Sequence, residues 1–267
     1  MIRIATHKTS AEVAVRDFSF LPVVQKLLAQ WIHAENDFDR ATGSTMNVLI
    51  VFAHPEPQSF NGALFQRAID TLKELGHDVQ CSDLYTMGFD PVSDRRNFTS
   101  IKDPNAFKQQ IEELYATEVE GFVPELEAEL QKLEWCDLMI WQFPLWWFSV
   151  PAILKGWVDR VFAMGRVYGN GHIYETGRFR GKKAMLSLTV GGAKEAYLED
   201  GFNGDIQAIL RPIQRGILQF TGFDVLAPHI VYAPIRQTDQ VRQEILDDFS
   251  QRLKTIEDEL PIAVGRY

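Results

Sequence analysis

Residues 141–160 read WQFPLWWFSVPAILKGWVDR and contain three kinds of structure in succession. The apolar run over 138–141 has the continuous hydrophobicity of a strand buried on both faces. Pro144 ends it, Trp146, Trp147 and Phe148 follow as a loop, and beyond Pro151 apolar residues fall at helical spacing over 152–162. Strand, loop and helix in that order form the unit from which parallel sheets are wound. The loop has the chemical interest. Three consecutive large aromatics past a strand end are costly to leave in water, so a planar ligand or a partner surface is expected to cover them.

The same alternation extends outward from this stretch. A strand is predicted over 47–53, ending at His54-Pro55-Glu56-Pro57-Gln58, and Ser59 caps a helix bearing Phe60, Leu64, Ala68, Leu72 and Leu75 that Gly76 stops. A second strand over 78–84 leads into 85–121, an irregular polar connection with Pro91 and Pro104. Pro124 opens a helix with Leu126, Leu130 and Leu133 inward, and the third strand, 137–142, delivers the aromatic loop. Past the glycine-bearing loop 165–181, a fourth strand over 183–190 runs into Gly191-Gly192. A helix with Ile206, Leu210 and Ile213, a fifth strand over 223–232 and a last helix over 237–260 complete the chain. Five strands interleaved with helices imply an α/β, flavodoxin-like, doubly wound five-stranded parallel sheet of order 2-1-3-4-5.

The body spans 46–267. Residues 1–45 hold five basic and five acidic side chains, so the net charge of −9 lies entirely in the body. That extension is expected to be poorly ordered, with Met46 as a candidate start. No basic run breaks the acidic background, which argues against nucleic acid as a partner. No apolar run reaches the roughly 20 residues of a transmembrane helix, and no cleavable leader is read at the N-terminus, so no membrane insertion is expected. Cys81 and Cys136 sit among core-like residues without metal-ligand spacing. No metal is expected, and the pattern suits a reducing, cytoplasmic location.

In an open parallel sheet, ligands bind beyond the carboxyl ends of the strands where the order reverses. Three loops converge there. Ser59, Phe60 and Asn61 stand at a helix start that favours a phosphate, the 144–148 loop supplies flat walls, and Gly191 and Gly192 let backbone approach a ligand. Phosphate, flat ring and close backbone together describe a flavin nucleotide.

These residues also resemble a family. His54 with Ser59-Phe60-Asn61, Gln142-Phe143-Pro144-Leu145, Trp147-Phe148, the run 150–157, Thr189 with Gly191-Gly192, and Pro212-Ile213-Gln214 are similar to the FAD-dependent NAD(P)H:quinone oxidoreductases, or DT-diaphorases, in a bacterial-type member that ends where mammalian members add a segment. The resemblance spans about 46–260. It implies a homodimer with FAD, rather than FMN, at the subunit interface, and ping-pong two-electron transfer from NAD(P)H to a quinone. By position, His54, Ser59, Phe60 and Asn61 would hold the phosphate, ribose and adenine side of FAD, and Arg242 would stand near the adenine. Pro144, Leu145, Trp147, Phe148, Thr189, Gly191 and Gly192 would surround the isoalloxazine, and Trp146 matches a position that is not consistently aromatic. Tyr197 matches a family proton-handling tyrosine, whereas Asn203 stands where the family has a histidine and cannot titrate near neutral pH. Tyr168 matches a gate tyrosine contributed to the other subunit's site, and Asn170 replaces another. A flavin-binding regulatory subunit of a potassium-efflux transporter is the alternative that the resemblance leaves open.

Overall fold

The computed structural model describes residues 45–266, so the expectation for the N-terminal extension falls outside the described residues. Strand β1 (Asn47–Phe52) continues into helix α1 (Phe60–Glu74) and strand β2 (Asp78–Asp83). Helices α2 (Gln109–Val119) and α3 (Pro124–Trp135) precede β3 (Leu138–Pro144) and α4 (Ala152–Val161). Then come β4 (Lys183–Val190), α5 (Ile206–Ile213), β5 (Asp224–Val225), β6 (His229–Tyr232) and α6 (Asp239–Leu253). The sheet runs β2-β1-β3-β4-β5, all parallel, with β6 also paired to β4. That is the expected flavodoxin-like order.

The sheet is covered on both faces, which is why its central strands are apolar at nearly every position. Alternate residues of β1 part to opposite sides. Leu49 and Val51 belong to one core cluster with Leu126 and Leu130 of α3, Trp157 of α4 and Leu210 of α5, while Val48 and Ile50 belong to the other with Leu64 and Leu72 of α1 and Phe249 of α6. Among the described residues no helix is long and apolar enough to cross a membrane.

Three sequence expectations need correction. The 85–121 connection is not irregular throughout, because it contains α2. The buried face of that helix is Glu112, Glu113 and Ala116, so a search for apolar periodicity passes over it. Arg160 of α4 clamps the rest of the connection: it is buried, its Nε donates to Asn97 Oδ1 at 2.8 Å and its Nη1 to the Asp90 carbonyl at 2.6 Å. Gly156 is needed in α4, since a Cβ there would sit 2.3 Å from the Pro91 carbonyl oxygen. The predicted fifth strand is two short ones, β5 and β6, broken by Ala227-Pro228, and each pairs with a different part of β4. Finally, α6 runs from its Thr238 cap only to Leu253, and a short 3₁₀ turn, Ile256–Asp258, follows.

Candidate flavin cleft

A cleft of about 700 Å³ opens at the carboxyl ends of β1, β3 and β4, the switch point of the sheet. One end is the start of α1. Ser59 Oγ accepts the Gly62 N–H at 3.1 Å, leaving the first-turn N–H groups of Phe60 and Asn61 without intrahelical acceptors. Such an N-terminus favours an anion through both its donors and the helix dipole. The side chain of Asn61 is spent elsewhere. Its Oδ1 accepts from Gln142 Nε2 and its Nδ2 donates to Thr189 Oγ1, both at 2.9 Å, so this buried trio ties α1, β3 and β4 together beneath the cleft. Asn61 therefore offers a ligand its backbone N–H, and its side chain fixes the floor.

The opposite wall is the 144–149 loop. Pro144 pairs in register with Thr189, and the Leu145 N–H donates to the Thr189 carbonyl at 2.8 Å. Trp146 and Ser149 then exchange both backbone hydrogen bonds at 3.0 Å, making Trp147 and Phe148 the two central residues of a tight turn with φ of 51° and 57°. Turns with positive φ at both central positions normally take Asn-Gly, because a side chain there crowds the backbone. Two large aromatics in that conformation are strained by about 1 kcal/mol or more each. They are also wet: Trp147 is 95% and Phe148 50% exposed.

Of the residues named from the sequence, the cleft gathers His54, Ser59, Phe60, Asn61, Pro144, Leu145, Thr189, Gly191 and Arg242 on its lining. Trp147 and Phe148 lie outside that lining, at the turn tip, and Trp146 takes the wall position, its ring 6.2 Å from His54. A Cβ on Gly191 would meet nothing within 4 Å, so backbone is open to a ligand there. Gly192 is different. A Cβ on it would lie 3.0 Å from Tyr197 Cε2 and 3.3 Å from Asn203 Nδ2, so these two side chains close against the second glycine, and Gly192, Tyr197 and Asn203 all lie outside the cleft's lining. Tyr197 packs 6.0 Å from Tyr232, whose phenol burial first, and Tyr197 second, pushes upward in pKa, keeping it neutral.

Arg242 is fixed. Its Nη1 donates to the Pro234 and Gln237 carbonyls at 3.2 and 2.8 Å and its Nη2 pairs with Asp239, so it braces the 234–238 turn on the rim. Pro234 and Ile235, which line the cleft from that turn, were missed by sequence reasoning. Ala233 adopts φ 45° to deliver them, and no periodic signal marks such a turn. Tyr168 does not line the cleft. It sits on a separate turn, where Gln110 Nε2 donates to its hydroxyl at 3.1 Å and its ring packs 5.8 Å from Phe220.

Comparison with known proteins agrees with this fold. A family model described as the flavodoxin-like fold matches residues 46–253. The ribosyldihydronicotinamide dehydrogenase [quinone] of Pongo abelii is 44% identical over 216 residues, which are 80% of this chain and 94% of that protein. The NAD(P)H dehydrogenase [quinone] 1 of Cavia porcellus is also 44% identical, over 80% of this chain and 78% of its own. A solved Klebsiella pneumoniae structure, whose assignment as a quinone reductase is itself inferred, superposes with a TM-score of 0.79 at 40% identity, covering 82% of this chain and 87% of that one. A more distant relative, 28% identical over 77% of this chain and 94% of its own length, is named an ancillary protein of a glutathione-regulated potassium-efflux system in an Enterobacter strain. The chain belongs to the flavodoxin-like NAD(P)H:quinone oxidoreductase family.

Proposed function

We propose that this oxidoreductase binds FAD in the switch-point cleft and passes two electrons from a reduced nicotinamide to a quinone by a ping-pong route, as a cytoplasmic homodimer. One observation supports the reading above the others: a single cleft of about 700 Å³ joins an uncapped pair of helix N–H groups at one end to a flat wall and open glycine backbone at the other. Those are the needs of a molecule with phosphates at one end and a planar ring at the other. The residues fit FAD as follows: Phe60 and Asn61 N–H groups on the phosphates, Arg242 and Ile235 at the rim, and Pro144, Leu145, Trp146 and Gly191 along the ring. When bound, the flavin supplies the electron-transfer chemistry, and the protein supplies orientation and exclusion of water. Trp147, Phe148 and Tyr168 serve the quinone side, with Tyr168 reaching the partner subunit's site.

We read Tyr197 and Asn203, which close over Gly192 next to Gly191 of the lining, as hydrogen-bond donors toward the ring's edge. Asn203 holds a proton donor without titrating. Replacing it, as Asn203→His, is expected to introduce a pH dependence between about 6 and 7 into flavin reduction. An unchanged profile for both half-reactions removes the position from the proton path.

The decisive experiment is the absorption spectrum and mass of the cofactor in purified protein, then anaerobic bleaching with NADH, NADPH and reduced ribosylnicotinamide. The last is included because of the relative from Pongo abelii. FMN alone overturns the FAD assignment, and absence of quinone reduction by the bleached protein overturns the activity. A transporter-regulating role is the second reading; its support is the 28% identical relative, against 44% for the quinone dehydrogenases.

A further inference from the structure

We propose that a second cleft, between the 174–181 segment and the turn that follows α5, is an oxyanion site that takes a carboxylate or phosphate group on Arg180 and Arg215. It encloses about 630 Å³, and none of its lining residues belongs to the flavin cleft.

The cleft is constructed by a departure from regular helix. Pro212 lies inside α5 and has no N–H to give, and the helix widens into a π-turn over Gln214–Gln219. Such turns recur at functional sites because they re-aim side chains within a helix. This one sets Arg215 and Gln219 on one wall. The Arg215 guanidinium lies 4.6 Å from the centroid of the Tyr174 ring, and its Nη1 donates to Gln219 Oε1 at 3.3 Å. Ring and amide hold the guanidinium plane in place, and its other N–H groups have no acceptor among the described residues. Arg180 enters the same cleft with no hydrogen bond or ion pair among the described residues. Other arginines packed into the fold are engaged: Arg166 lies between Glu127 and Glu134 at 3.0 and 2.6 Å, and Arg252 pairs with Glu259 at 2.6 Å.

The remaining walls are backbone. Gly177 and Gly222 approach so closely that a Cβ on Gly177 would stand 2.5 Å from the Gly222 Cα, and the 263–264 segment is held by the Ile262 N–H donating to the Val225 carbonyl at 2.8 Å. Glu175 and Asp224 also line the cleft, and neither pairs with either arginine. With two charges of each sign, the lining has no field to accumulate polyanions. It offers a fixed guanidinium with N–H groups to spare to one small planar or tetrahedral anion, the geometry in which Arg is most selective. A chain of aromatic rings joins the site to the turn that carries Tyr168: Tyr174 packs edge-on against Phe220 at 5.3 Å, and Phe220 packs against Tyr168.

The test is isothermal titration calorimetry of the flavin-loaded protein with inorganic phosphate and with benzoate, at ionic strength held constant with chloride. Saturable binding with Kd on the order of 1 mM is expected, weakened about tenfold or more by Arg180→Ala with Arg215→Leu and less by Arg215→Lys. Should Arg215→Leu fail to fold, Arg180→Ala alone, at an exposed position, is expected to weaken binding. Absence of saturable heat with both probes, or equal affinity in the double variant, overturns the site. A competition arm rests on the proposed function and identifies the source. Displacement of phosphate by NADPH and not NADH, with KM rising in the variant for NADPH alone, assigns the anion to the substrate's 2′-phosphate. Displacement by neither nucleotide assigns a free anion, and failure of the nucleotides to react at all leaves the calorimetric result standing.

Discussion

Within residues 141–160 the same kind of side chain meets two opposite fates. Trp141 and Trp157 are buried, 6.2 Å apart and nearly perpendicular, and each also packs edge-on against Phe162, at 6.3 and 5.6 Å. Even the indole N–H of Trp157 is satisfied, by Glu129 Oε2 at 2.8 Å, a carboxylate that also takes the Ser82 hydroxyl and the Lys132 ammonium. A few residues away, Trp147 and Phe148 are exposed and stand on strained backbone. The first group is explained by folding: apolar area is removed from water and every polar atom is paired. The second group destabilises the isolated chain on both counts, so its explanation lies in what the loop contacts during function.

The comparison breaks most sharply on truncation. Trp157→Ala is expected to destabilise the protein by about 3–5 kcal/mol, since it leaves a cavity and strips the buried Glu129 of a donor. Trp147→Ala is expected to leave stability within about 0.5 kcal/mol and to impair quinone turnover. Urea denaturation of both variants beside steady-state assays checks the division, and equal losses of stability would erase it.

A second test concerns pH, and it acts on the buried side alone. His229 of β6 stacks on Phe249 at 4.2 Å and shares a 3.0 Å hydrogen bond with Ser187. Burial, aided by Arg252, pushes its pKa down from 6.5 to about 4. Above 6.5 the imidazole is neutral in both states. As pH falls from 6.5 towards 4 the unfolded chain takes up a proton that the folded chain refuses, and stability is lost across that window. The loss is on the order of 2–3 kcal/mol, and His229→Gln is expected to remove that slope from a plot of unfolding free energy against pH.

Much of this was legible in the sequence, for identifiable reasons. Strands β1 and β4 and helix α1 announce themselves because both faces of the sheet, or one face of the helix, must be apolar. Helix α2 did not, since Glu112 and Glu113 are its buried residues: Glu112 accepts the Lys102 and Asp103 N–H groups, and Glu113 the Met164 N–H, at 2.7 to 3.0 Å. A helix docked through carboxylates has no apolar period to detect. In the cleft, the residues placed by strand ends were found and those placed by unusual backbone were not. The turn at 146–149 hid its conformation behind side chains that normally forbid it, which is how Trp146 came to line the cleft in place of its neighbours.

That turn supplies the smallest and most pointed prediction. Replacing its central residues by the pair the backbone prefers, Trp147→Asn with Phe148→Gly, keeps the reciprocal Trp146–Ser149 hydrogen bonds and removes the strain. The double variant is expected to be more stable than the wild type by about 1–2 kcal/mol, because the left-handed backbone no longer carries side chains that resist it. It is also expected to reduce quinones more slowly, since the exposed rings are gone. Both effects are required. A gain in stability with activity intact would mean that the aromatics are idle, and a loss of stability would mean that the rings make folding contacts. Slower turnover in a more stable protein is the outcome that separates aromatics kept for the fold from aromatics kept for the reaction.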